Sequence, residues 1–153
     1  MLGAGAKRSY SRAQERLVPL ISWSDKMSVG VAALDEEHKQ LVELLNALHD
    51  GIQAGRAIDV LAQVLDGLVF YTANHFRHEE ELFASTGYPA SCEHKLEHDH
   101  LTGQVMEIQA RLQSGAQETL SYEVVNFLKN WLFNHIQGSD KRYGPFFNAN
   151  GIK

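Results

Sequence analysis

Two stretches carry more ligand-type side chains than a helical core stripe usually holds. TANHFRHEEELFA, residues 72–84, places His75 four residues before Glu79, and CEHKLEHDHL, residues 92–101, places His94 four residues before His98. Residues four apart on an α-helix lie roughly 40° apart around its axis and one turn apart along it, so each pair points one way. His38 and His135 fall in apolar-periodic segments of their own, and Asp140 follows His135 at a spacing of five. Five residues separate two side chains by about 140° on a continued helix, which is a misfit. Gly138 lies between them, and the chain is expected to unwind there and swing Asp140 back. A single histidine on an apolar face is more often a satisfied core residue than a ligand. Seven such groups are a different case, because burying unpaired charge is costly and a cation removes the cost by bonding nitrogens and cancelling carboxylate charge. Five histidines and two carboxylates exceed what one tetrahedral or octahedral ion takes, and carboxylates can bridge. The count therefore favours two metals. Nitrogen and oxygen donors without thiolate suit iron, manganese or zinc.

Four segments with the 3.6-residue period must position these groups. The first is expected from about Leu34 to Ala54, with the stripe Leu34, His38, Leu41, Leu45, Leu48 and Ile52. Asp35, Glu36 and Glu37 sit where a helix N-terminus favours negative charge, and Gly51 and Gly55 mark its end. The second runs from about Ile58 to Ser85, with Leu61, Leu65, Leu68, Thr72, His75, Glu79 and Leu82 on one side, and stops at Gly87 before Pro89. The third spans about Ala90 to Gln113 with His94, His98, Leu101, Val105, Ile108 and Leu112; the fourth spans about Thr119 to Gln137 with Val124, Leu128, Trp131 and His135. Gly115 and Gly138 bound these two. Gly67 and Gly103, inside helices, are expected to permit close helix approach. Short links make neighbouring helices antiparallel, so the fold expected is all-α: a left-handed up-down-up-down four-helix bundle. An arm ahead of it, LISWSDKMSVGVAALD, offers Trp23, Met27 and Val29 to pack across the bundle. The tail from Lys141 to Lys153, with Gly144 and Pro145 together, reads as irregular. His49, His78 and His100 fall off the register and are expected to face solvent, as is the charged face around Glu80 and Glu81.

The chain as a whole excludes several classes. At 153 residues and 44% hydrophobic content it can bury one real core. A net charge of −5 gives no support to nucleic-acid binding. No apolar run approaches the roughly 20 residues of a membrane span, and the start has no apolar segment after its basic residues, so neither membrane insertion nor a secretory signal is expected. Cys92 is the only cysteine, which fits a reducing compartment and a cytoplasmic location. Residues 1–19, with four basic side chains against one acidic, carry +3 and leave −8 for the rest. They read as a disordered extension ahead of a single domain at 20–153. Glu97 to His100 has the Glu-x-x-His spacing of carboxylate-bridged ferritin-like sites, but the second such pair is missing. HEEEL at His78 lacks the second histidine of a zinc-protease helix.

The ordered set WSDKMSVGVAALDEEHKQL, NHFRHEEELF, YPASCEHKLEH and WLFNHIQGSDKRY resembles the single-domain bacterial form of the hemerythrin family, over about Ile21 to Tyr143. The resemblance implies a non-haem diiron centre with an oxo or hydroxo bridge. In it His94, His98 and His135 hold one iron, His38 and His75 hold the other, and Glu79 and Asp140 bridge both. The iron with two histidines keeps an open position. The resemblance also implies reversible dioxygen binding there, for storage, delivery or sensing, without catalytic turnover. Leu41, Phe76, Trp131, Leu132 and Ile136 would wall an apolar oxygen pocket. A monomer is expected, with dioxygen as its partner and an oxygen-consuming enzyme as recipient. The alternatives are a diiron oxidase, peroxidase or nitric-oxide-handling enzyme, and a redox or metal sensor.

Overall fold

The structure, a computed structural model, describes residues 18–115 and 119–153. The basic extension read at 1–19 lies, apart from Val18 and Pro19, outside the described residues. Four antiparallel helical rods make the bundle, and no strand occurs among the described residues. They are α1 (Ala32–Gln53), α2 (Ala57–Thr86), α3 (Ser91–Gln113) and α4 (Leu120–Asn130), the last running on without a break through a π-helical stretch (Trp131–Asp140) into α5 (Lys141–Ala149). The apolar stripes face inward as expected: Leu41, Leu45, Leu48, Leu61, Leu65, Leu68, Val124 and Leu128 are all buried. No described helix is long and apolar enough to cross a membrane.

Two apolar clusters fill the interior. The larger joins Met27, the middle of α1 and α2, Val105 and Ile108 of α3, and α4 through Ile136. The smaller joins Val29, Val31, Leu34, Phe83, Tyr143 and Phe147 at one end of the bundle. Along their helices His38, Glu79 and Asp140 fall between residues of one cluster and residues of the other, while His75 and His135 are flanked by residues of the larger cluster.

The arm packs as expected, with Met27 and Val29 buried and Trp23 half-buried. Asn46 pins it with a two-way amide bond: Ile21 N–H donates to Asn46 Oδ1 at 3.0 Å, and Asn46 Nδ2 donates to the Ile21 carbonyl at 2.8 Å. Asp35 accepts from Ser28 Oγ at 2.5 Å and from Val29 N–H at 2.8 Å, fixing the turn into α1.

Four expectations are corrected. The tail beyond Lys141 is helical for nine residues despite Pro145, because Tyr143 and Phe147, four apart, bury a face in the smaller cluster. Gly138 does not unwind the chain: it keeps negative φ, and the helix widens instead, with the Lys141 N–H reaching the Ile136 carbonyl five residues back. Gly51 lies inside α1, its missing side chain leaving room for Val60, while Gly55, with φ +69°, ends the segment. Of the two glycines expected to allow close approach, Gly67 does so, against Leu44, whereas a side chain at Gly103 would meet nothing.

Candidate metal centre

All seven sequence-predicted residues converge in a polar layer, each at most 4% exposed. They form two groups whose ligand atoms lie within 4.8 Å of one another: Glu79, His94, His98, His135 and Asp140 in one, and His38, His75, Glu79 and Asp140 in the other. The two carboxylates belong to both. Glu79 turns Oε2 toward His98 Nε2 (2.8 Å) and His94 Nε2 (3.5 Å), and Oε1 toward His75 Nε2 (3.3 Å). Asp140 turns Oδ1 toward His94 Nε2 (3.0 Å) and His135 Nε2 (3.1 Å), and Oδ2 toward His38 Nε2 (3.2 Å). Each carboxylate therefore spans the two groups with one oxygen per group.

The spacing of five between His135 and Asp140 is accommodated by the π-helical stretch, whose i to i+5 bonding brings residues five apart onto one face. A regular α-helix would have turned Asp140 away. The donor atoms also fit metal better than they fit one another. The Nε2 atoms of all five histidines, Glu79 Oε2 and both Asp140 oxygens are buried without a hydrogen bond, although they are close enough to make one. Separations of 2.8 to 3.5 Å match neighbouring donors around one ion, which at bond lengths near 2.1 Å stand about 3 Å apart.

Three glutamates that sequence reading passed over hold the far sides of the imidazoles. His75 Nδ1–H donates to Glu37 at 2.6 Å, His98 Nδ1–H to Glu80 at 3.0 Å, and His135 Nδ1–H to Glu97 at 2.8 Å. Such bonds fix the tautomer that leaves Nε2 free to face inward. Glu80 is thus not part of a solvated face, and His78 is not free in solvent: it shares Glu37, at 2.8 Å. His100 is exposed and His49 half-buried, and neither reaches the cluster. Tyr143, from the tail expected to be irregular, donates a hydrogen bond to Glu79 Oε1.

The family model for the hemerythrin HHE cation binding domain matches residues 29–147. The chain belongs to the hemerythrin family. It is 38% identical over 124 residues to the bacteriohemerythrin of Stenotrophomonas maltophilia, covering 81% of this chain and 79% of that one. It is 34% identical to the bacteriohemerythrin of Methylococcus capsulatus, covering 85% and 98%. The crystal structure of a wild-type hemerythrin aligns with a TM-score of 0.73 at 33% identity, over 82% of this chain and 96% of that one.

The electrostatics of this hemerythrin centre set burial against charge pairing. Burial depresses His75, but Glu79, Glu37 and Asp140 outweigh it and lift the imidazole to about 10. Burial likewise opposes charge on His94, and Asp140 and Glu79 raise it to about 9. His38 is also raised, Asp140 and Asp35 overcoming burial. His135 is lowered, burial prevailing over Asp140 and Glu79. Burial and the neighbouring Glu79 would raise Asp140, yet His135, His38 and His94 bring it down to about 2. Burial acts against charge on Glu79 too, but His75, His94 and His98 hold it well below the usual carboxylate range.

One side of the centre is apolar. Leu41, Phe76, Trp131, Leu132 and Ile136, the residues expected to wall an oxygen pocket, are all buried in the larger apolar cluster. Phe76 stacks on His98 with centroids 3.8 Å apart. Tyr71 joins this wall, stacked on His75 at 4.7 Å.

Proposed function

We propose that this hemerythrin-family protein binds dioxygen reversibly at a pair of non-haem irons. His94, His98 and His135 would hold one ion and His38 and His75 the other, with Glu79 and Asp140 shared between them. The observation that carries this reading is the pair of carboxylates, each directing one oxygen to each histidine group. The group with two histidines offers one donor fewer, which leaves its ion the position for an incoming ligand. When bound, the iron pair supplies that vacant position and the reversible redox capacity that dioxygen binding needs.

The surrounding residues do the rest. Glu37, Glu80 and Glu97 orient the imidazoles, and Tyr143 holds one oxygen of Glu79. Leu41, Phe76, Leu132 and Ile136, buried in the larger apolar cluster, would keep bulk water from the ligand side. This wall carries no carboxylic acid or histidine, and burial holds the Tyr71 phenol well above its usual range, so no group there readily gives up a proton to a bound molecule, which favours binding over turnover.

Iron-loaded protein should contain about two irons per chain, the count that the paired groups imply. The deciding experiment is anaerobic reduction, exposure to oxygen, then removal of oxygen, followed by optical absorption. A return to the reduced spectrum supports the reading. Irreversible oxidation of the intact protein, with peroxide released or a co-substrate altered, would replace it with the oxidase alternative.

A further inference from the structure

The apolar wall contains a hydroxyl with nothing to bind. Tyr71 is 3% exposed, and its phenolic oxygen is buried without a hydrogen-bond partner. Leaving such a donor unpaired is costly, and phenylalanine would fill nearly the same volume without the cost. The ring is not remote from the centre. It lies one turn before His75 on α2 and stacks on that imidazole, with centroids 4.7 Å apart and planes at 24°. Its other neighbour is Trp131, met edge-on at 5.8 Å. The stacked histidine belongs to the group with one donor fewer, the one whose ion is proposed above to take the incoming ligand. The indole N–H of Trp131 is also buried without an acceptor. The wall is therefore apolar in surface but holds two orphaned donors, and no acceptor among the described residues answers either.

We propose that Tyr71 is a positioning residue for the ligand of this centre: its O–H donates a hydrogen bond to a small molecule held at the ion of His38 and His75. The site then favours ligands whose outer atom accepts a hydrogen bond, namely dioxygen and small anions. This role rests on the assignment of the two irons above. The Trp131 N–H has the same need, but its bulk also forms the wall, so replacing it would mix two effects. Tyr71→Phe removes the donor alone.

The test uses the full chain loaded with iron, oxidised, and titrated with sodium azide by optical absorption. Tyr71→Phe should keep two irons and bind azide about tenfold more weakly than the wild type, the effect of one lost hydrogen bond to an anion. The metal-free variant should melt no lower than the metal-free wild type, because no protein bond was removed. Equal azide affinity in the two proteins would overturn the role of Tyr71 and leave the iron assignment standing. That role would also be overturned if only the melting temperature of the metal-free variant fell, since that marks a structural hydroxyl. A second reading compares the azide stretching band of the two proteins in D2O. The band of the wild type should shift, because the phenol carries deuterium, and the shift should be smaller in Tyr71→Phe, because the exchangeable Trp131 N–H remains in both. No shift in the wild type, or equal shifts in the two, would count against the proposal. A wild type that holds fewer than two irons and gives no azide band would overturn the iron assignment, and this inference with it.

Discussion

Glu79 reaches both histidine groups, one oxygen to each, and Tyr143 holds it from behind. Replacing it with alanine should therefore empty both metal positions rather than one. His49→Ala should leave the iron content of the wild type, since that half-buried side chain lies outside the cluster. Metal analysis of the two variants tests the contrast, and a Glu79→Ala protein that keeps one full equivalent would contradict the bridging role. The orienting glutamates predict something milder. Glu97→Ala frees His135 to rotate without removing a donor atom, so iron affinity should fall by roughly 10- to 100-fold with the stoichiometry retained at saturating iron. The wall makes a further prediction. Leu132 is 1% exposed, and alanine there leaves a hole that the bundle closes only partly. That variant should keep two irons but oxidise faster after oxygenation. An unchanged rate would mean that Leu132 does not protect the bound ligand.

The helices were legible because each buries a stripe at the period that α-helices impose, and the seven candidate ligands stood on those stripes or just past them. What escaped the sequence was what the 3.6-residue period does not describe. The spacing of His135 and Asp140 is a visible misfit in the sequence, but a glycine hinge was the expected remedy. The π-helical stretch solves it without breaking the rod, and no single residue between Trp131 and Asp140 announces it. Glu37, Glu80 and Glu97 escaped for another reason. Each lies on one helix and serves a histidine of another, 18 to 38 residues away, so no local spacing links them. Because the rod continues, α5 docks its small Gly144 against the arm, where an added Cβ would lie 2.0 Å from the Val29 carbonyl oxygen, a backbone atom. Gly144→Ala should therefore destabilise the protein by at least about 1–3 kcal/mol and loosen Tyr143 from Glu79. Gly103→Ala meets nothing within 4 Å and should stabilise by up to about 1 kcal/mol. Thermal melts of the two variants, moving in opposite directions, would check this; equal and small shifts would argue against the docking of α5.

At the scale of the whole molecule, the polar layer ties folding to both protons and metal. With metal absent, His75 and His94 are raised to about 10 and about 9, and His38 is raised as well. A histidine whose folded pKa is raised contributes stability that is fully present below its unfolded value of about 6.5 and is lost as pH rises through the folded value. His135 is lowered and works in the opposite direction, its contribution being lost as pH falls below about 6.5. With three groups raised against one lowered, the metal-free bundle should weaken from about pH 6.5 toward pH 10. Asp140, lowered from 3.8 to about 2, contributes stability that is full above about 3.8 and is lost as pH falls from there to about 2, which sets the acid limit. Metal binding has the opposite slope on the alkaline side. The imidazoles must shed their protons to coordinate, so affinity rises with pH, and each gain in affinity appears as added stability of the folded state. The melting temperatures of the iron-loaded and metal-free proteins should therefore separate as pH rises from about 6 to about 9, with protons released on loading. Melts of both forms across that range, with proton release followed in weakly buffered solution, decide the point. A gap that narrows with rising pH would mean that the histidines are neutral before metal arrives, and that the carboxylates of this layer do not hold protons on them.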